Sequence, residues 1–131
     1  PKITKVISIV SAHPKIRDIM VKKQRRLAEK GGVVMDGRDI GTVVLIDAEV
    51  KIFLEANLEE RAQRRYRELE KKSVQTNLEE IKNEIIKRDE IDSSRDVAPL
   101  KTAKDAYIID TTNMAIHEQV EKVLNIVEKY L

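Results

Sequence analysis

The chain of 131 residues carries 25 Lys plus Arg against 23 Asp plus Glu, so its many charges nearly cancel and no global field draws in nucleic acid. With no cysteine and only two histidines, a disulfide framework, a thiolate metal site and a histidine cage are all excluded. A hydrophobic content of 41% suffices for one domain over residues 1–131, but with only 3% aromatics its core must be aliphatic.

Ile3, Val6, Ile7 and Val10 recur at helical spacing and predict a first helix. A second starts at Pro14, whose fixed φ suits a first turn, and runs through Ile16, Ile19, Met20 and Leu27 to a glycine cap at Gly31. The β-branched run at 33–35 predicts a short buried strand, with further strands at 50–54 and 107–109. Asn57 with Glu60 three positions on has the form of a capping box, opening a basic helix through Arg61, Arg64, Arg65 and Arg67. Residues 71–76 form the expected mobile loop. Asn77 with Glu80 repeats the cap for a helix that turns Leu78, Ile81 and Ile85 inward and continues toward Arg88. Asp92-Ser93-Ser94 and Pro99 mark a turn-rich exit, and a last helix uses Ile116, Val120, Val123, Leu124 and Val127. Strands separated by helices indicate an α/β fold with parallel strands and flanking helices. Ligands of such sheets bind beyond the carboxyl ends of the strands, where Asp36-Gly37-Arg38-Asp39 and Asp110-Thr111-Thr112 both fall. No apolar run approaches the roughly 20 residues of a membrane span, and the expected setting is soluble and cytoplasmic.

All four glycines, Gly31, Gly32, Gly37 and Gly41, crowd around Asp36-Gly37-Arg38-Asp39. A strand that fixes the backbone, followed by glycine that lets charged groups approach a ligand, suits phosphate. The chain holds no Gly-x-x-x-x-Gly-Lys-Ser/Thr pattern. Asp36 can hold a water of a Mg²⁺ shell, or act as a cap or turn aspartate. Arg38 offers a planar fork to phosphate and Asp39 accepts from an amine or a ribose hydroxyl, unless the two simply pair at the surface. Arg88, Asp92 and Arg95 share one face if their helix persists, which suits a substrate with phosphate and hydroxyls; the alternative is a solvated salt-bridge ladder. Arg61, Arg64 and Arg65 can clamp the phosphates of a nucleoside triphosphate, or form an exposed basic face. His13 and His117 are read as surface residues without a role.

These segments resemble the bacterial cytidylate kinases. The resemblance runs from near Ile7 to the end of the chain. It includes Ser8, His13-Pro14-Lys15-Ile16-Arg17, Gly37-Arg38-Asp39-Ile40-Gly41-Thr42-Val43-Val44 and Lys51-Ile52-Phe53-Leu54. It closes with Arg88-Asp89-Glu90-Ile91-Asp92-Ser93-Ser94-Arg95-Asp96-Val97-Ala98-Pro99-Leu100 and Asp110-Thr111-Thr112-Asn113. It implies a P-loop nucleoside monophosphate kinase fold and transfer of the γ-phosphoryl group of ATP to CMP or dCMP, with Mg²⁺ accompanying ATP. By the same resemblance Ser8, Arg17 and Asp39 hold the cytosine, Arg88 and Asp92 the ribose side, and Arg38 and Arg95 the CMP phosphate. Asp36 takes the Mg²⁺-water role, Arg64 with Arg61 or Arg65 belongs to the lid over ATP, and Asp110, Thr111 and Thr112 lie on the adenine side. It assigns 1–30 to the monophosphate-binding side, 31–56 and 105–131 to the core, and 57–100 to the lid and substrate-contacting helices. Positioning and cationic screening dominate phosphoryl transfer, so an arginine-rich site is the expected inventory.

Set against that family, the chain corresponds to the carboxy-terminal part and lacks the central P-loop strand. Alone it is expected to be inactive. Because a parallel sheet pairs its strands and buries both faces, the chain is expected to need the missing amino-terminal segment or self-association to cover the gap. Smaller departures are Ile46 in place of the usual proline, Ser73 in place of a lid glycine, and Ala115 in place of a capping serine, the last costing about 1 kcal/mol. The alternative function is a non-catalytic nucleotide-binding or interaction module that keeps the CMP side of the site. Nucleic acid and membranes are not expected partners; near-neutral charge and few aromatics disfavour base stacking.

Overall fold

The structure is a computed structural model describing residues 10, 11 and 13–131. Most of the first predicted helix, and Ser8, lie outside those residues. The chain forms two compact units, one built from residues up to Ala48 with Glu90–Lys104, the other from Glu49–Asp89 with Asp105–Leu131.

In the first unit α1 (Pro14–Ala28) begins as expected with proline in its first turn, and basic Arg25 and Arg26 face the negative end of the helix dipole. The helix ends sooner than the glycine signal suggests. Its C-cap is Glu29, and Gly31 and Gly32, at φ +69 and +65, make the reversal that follows. Residues 33–35 then correct the strand prediction: they belong to no strand, and Val34 is fully exposed. A β-branched run becomes a strand only when a neighbour satisfies its backbone, and no described residue pairs with it. Next comes a single π-helical turn, Ile40–Val44, with Val44 buried.

The second unit holds a two-stranded parallel sheet of β1 (Ile52–Glu55) and β2 (Tyr107–Asp110), with Ile52 opposite Tyr107 and Glu55 opposite Asp110. The helices α2 (Leu58–Lys71) and α3 (Leu78–Ser94) lie between these strands in the chain, the usual requirement for a parallel pair. The Asn57 side chain accepts from Glu60 N at 2.8 Å and Asn77 from Glu80 N at 2.9 Å, so both predicted caps form. The reciprocal half of the Asn57 box does not. Asn57 N–H donates to Thr112 Oγ at 3.0 Å, while the Glu60 carboxylate receives Arg64 at 2.8 Å.

After α2 the predicted loop is a tight Schellman reversal. Val74 N reaches Leu69 O at 3.0 Å and Ser73 N reaches Glu70 O at 2.9 Å, with Ser73 left-handed at φ 54. Ala62, Ile81 and Ile109 are the buried apolar side chains of this unit. The predicted last helix forms as α4 (Ile116–Val127); Ile116, Val120 and Leu124 make an exposed stripe on it while Val123 and Val127 are half-buried. Ala115 offers no cap side chain, but its N–H donates to Glu118 at 2.7 Å. A 3₁₀ turn, Glu128–Tyr130, follows, and the Tyr130 hydroxyl lies 2.9 Å from that of Tyr107. No helix among the described residues is long and apolar enough to cross a membrane.

Candidate functional site

Asp39 caps the π-helical turn, and its carbonyl accepts Val43 N at 2.9 Å, Val44 N at 3.3 Å and the Thr42 hydroxyl at 3.4 Å. That turn fixes the backbone from which the Arg38 and Asp39 side chains project. Before it, Gly37 leaves room for the Ile40 side chain, since a Cβ there would meet Ile40 Cγ1 at 2.9 Å unless that side chain moved. From α1, Arg17 donates to the Asp39 carboxylate and, with its other terminal nitrogen, to Ser11 O at 3.0 Å. Arg25, two turns further along α1, donates to Val43 O at 2.7 Å and Val44 O at 3.0 Å.

A second arginine–aspartate group adjoins this one within the same unit. The helix α3 persists through Asp92 to Ser94, and the side chain of Asp92 is only 4% exposed. Its Oδ2 lies 3.2 Å from Arg38 Nε and its Oδ1 3.5 Å from Arg95 Nη1. Arg95 is itself buried, at 7% side-chain exposure, and its Nε donates to Ala98 O at 2.6 Å. Ala98 sits at φ 52, a left-handed conformation that costs an alanine about 1–2 kcal/mol. Such strain is commonly found where a backbone group must be aimed, here at a guanidinium. Leu100 N closes the loop onto Asp92 O at 2.7 Å.

Among the described residues the cluster is short of negative charge: Arg17, Arg38 and Arg95 face Asp39 and Asp92. Burial, then the neighbouring cations Arg17 and Arg38, pull the proton affinity of Arg95 below its ordinary value, against the pull of Asp92 and Asp39. A guanidinium remains charged nonetheless. Its Nη2 is buried with no hydrogen-bond partner among the described residues. A buried charged donor without an acceptor is unfavourable, and an anion with several oxygens supplies what is lacking.

Sequence spacing therefore brought together Asp92 and Arg95, but as a buried pair and not a solvated ladder. Arg38 and Asp39 do not pair with each other; one turns to Asp92 and the other to Arg17. Arg88 lies on the exposed surface of α3, one turn before Asp92, within the segment assigned to the other unit. Asp36 is exposed, and no group of three metal-ligating side chains exists among the described residues. His13 and His117 are exposed, as expected.

In the second unit the three candidate lid arginines point to different partners. Arg64 donates to Thr111 twice, Nη1 to its Oγ at 3.1 Å and Nη2 to its carbonyl at 2.6 Å. Thr111 is buried directly after β2, and its hydroxyl donates to Glu55 O at 2.8 Å. Arg61 pairs with Asp89 at 2.7 Å, leaving its buried Nε without a partner among the described residues. Arg65 pairs with Glu68 at 2.6 Å near the surface. The Asp110 carboxyl is held below its usual range by hydrogen bonds from Thr112, whose N–H approaches to 2.8 Å. Sequence reasoning missed the roles of Arg25, which belongs to no motif, and of Ala98, which lies in the 88–100 segment that carries the resemblance, because both depend on backbone carbonyls.

A family profile described as cytidylate kinase matches residues 1–129. Cytidylate kinases of Bacillus cereus (strain ATCC 10987 / NRS 248) and Bacillus thuringiensis (strain Al Hakam) are each 56% identical over 127 residues, covering 97% of this chain and 56% of their own length. A cytidylate kinase of Bacillus anthracis (strain CDC 684 / NRRL 3495) matches to the same extent, 56% identical over 127 residues. The chain spans about half the length of the curated relatives it matches.

Proposed function

The chain belongs to the cytidylate kinase family, and on that premise we propose that it carries the acceptor side of a site that transfers a phosphoryl group from ATP to CMP or dCMP. The observation that carries this reading is Arg95, a buried guanidinium with an unused donor in a cluster holding one cation more than its carboxylates. The CMP phosphate would take that donor together with Arg38. Asp92 would accept from the ribose hydroxyls and Arg88 would donate to them, and Asp39 with Arg17, and Ser8, would hold the cytosine. In such a site the protein performs little covalent chemistry: it orients the acceptor oxygen and screens the charge of the transferred group.

Mg²⁺ bound through phosphate oxygens and water needs a single protein carboxylate, and exposed Asp36 beside the glycine turn fits that need. When bound, the ion would neutralise charge on the ATP phosphates. The donor side would draw on Arg61, Arg64 and Arg65, with Asp110, Thr111 and Thr112 by the adenine. Serving ATP would require Arg64 to exchange its bonds to Thr111 for phosphate oxygens.

No P-loop pattern occurs in these 131 residues. We therefore expect the chain by itself to bind CMP without phosphorylating it. An amino-terminal segment carrying the P-loop would complete the site and give residues 33–35 the ladder partner they lack; self-association is the other way to cover such surface. Calorimetric titration with CMP tests the reading, with a coupled ADP assay beside it. Binding that is lost in Arg95→Met supports it, and absence of any CMP binding overturns it. The lack of a P-loop pattern also favours a second reading, a module that binds CMP and performs no transfer. CMP binding without turnover by a longer form that includes the P-loop would decide for it.

A further inference from the structure

Arg25 stands outside every motif, yet its guanidinium occupies a defined place. The last carbonyls of any helical turn lack partners within the turn, and those of Val43 and Val44 are both taken by Arg25, at 2.7 and 3.0 Å. Through their N–H groups the same two residues bond Asp39 O, at 2.9 and 3.3 Å. Each forms a relay from Arg25, through one residue's carbonyl and amide, to the backbone of Asp39. Arg17, eight positions earlier and about 12 Å away along α1, holds the Asp39 side chain. The helix therefore grips the π-helical turn at both ends.

Resting on the acceptor-site reading above, we infer that Arg25 is a positioning residue: it straps the π-helical turn to α1 so that Arg38 and Asp39 meet the acceptor nucleotide in a set geometry. A π-turn is a rare element, frequently found at functional sites. Without the strap the turn frays from its carboxyl end, and the first bonds to loosen are those onto Asp39 O. A guanidinium suits this role because its fork reaches two neighbouring carbonyls at once, which an ammonium cannot do in the same plane.

The test uses the full chain with Arg25→Gln, Arg25→Lys, Arg25→Ala and, as a charge control, Arg26→Gln on the adjacent exposed residue. Amide hydrogen exchange without ligand reads the relay: Val43 and Val44 should exchange at least about tenfold faster in Arg25→Gln, while Ile81 in the other unit is unchanged. CMP affinity should fall on the order of tenfold in Arg25→Gln, as displacement of a positioned group by a fraction of an ångström implies. It should be spared in Arg26→Gln. Millimolar guanidinium ion should restore part of the affinity of Arg25→Ala, whereas a merely structural loss would not recover in a denaturant.

Unchanged exchange at Val43 and Val44 overturns the strap. So does faster exchange with undiminished CMP affinity, or a loss of affinity that Arg26→Gln shares. If the unsubstituted chain binds no CMP, the acceptor-site reading fails and the positioning role fails with it, while the exchange result still decides whether Arg25 holds the turn.

Discussion

Arg38 Nε lies 3.2 Å from Asp92 Oδ2, joining the glycine-rich turn to the end of α3 across most of the first unit's sequence. The Asp92 side chain is almost fully buried, whereas Arg38 is 39% exposed. The carboxylate is thus the fixed member of the pair and the guanidinium keeps one side open.

Asp92→Asn should lower stability by roughly 2 kcal/mol, because Arg95 loses the charge that compensates its burial. It should weaken CMP about tenfold or more through the ribose contact. Inorganic phosphate should bind no worse, since the cluster then gains one unit of positive charge. Urea unfolding and paired titrations check this, and equal losses for the two ligands would sink the division of roles.

Arg95→Lys keeps the charge and loses the fork that serves both Ala98 O and Asp92. Charge-assisted hydrogen bonds contribute about 1.5–3 kcal/mol, so CMP affinity should drop roughly ten- to a hundredfold. An unaltered dissociation constant would mean that Arg95 does not touch the phosphate.

Thr111→Val preserves shape and removes the hydroxyl that accepts Arg64 and donates to Glu55. The expected loss is about 1–2 kcal/mol, with Thr111→Ser close to the parent. If valine is as stable as serine in urea, the hydroxyl's part in the clasp of α2 onto the end of β2 contributes nothing.

Ser73→Gly should stabilise the chain by about 1 kcal/mol, because Ser73 occupies the left-handed position of a complete Schellman motif. Its hydrogen bonds are made by backbone and survive the change. A lower or unchanged denaturation midpoint contradicts this.

The Asp105 carboxyl is held below its usual range chiefly by the Lys51 ammonium, 2.6 Å away, and that of Asp110 by Thr112. Groups with depressed folded-state values stabilise the fold above the unfolded aspartate value of about 3.9, and that stabilisation fades as pH falls through the folded values. The thermal midpoint should therefore fall below about pH 4. Asp105→Asn should flatten that fall, and an unchanged acid slope in this variant would rule out its contribution.

Local rules were legible wherever their causes lie within a few residues. Asn57 and Asn77 cap their helices because each oxygen need only reach an amide three positions on. Pro14 opens α1 for a similarly local reason. The failures share one cause, dependence on what lies across space. Among the described residues, Val33 and Val34 have strand-forming side chains but no ladder neighbour, and Ile116, Val120 and Leu124 have helical spacing but no covering surface. Glu60 left its capping box because Arg64 offered a charged partner.

From the sequence alone came the residue inventory of the proposed acceptor site, Arg17, Arg38, Asp39, Asp92 and Arg95, since the resemblance and its motifs record which chemistry is available. Which of them pair, and which donor remains unused, only the tertiary structure decided. Arg38 turned from its neighbour Asp39 to the distant Asp92, and Arg95 was buried with one nitrogen lacking a hydrogen-bond partner among the described residues. Charge pairing depends on distance and burial, and both are settled when α1, the π-helical turn and the end of α3 pack into one unit.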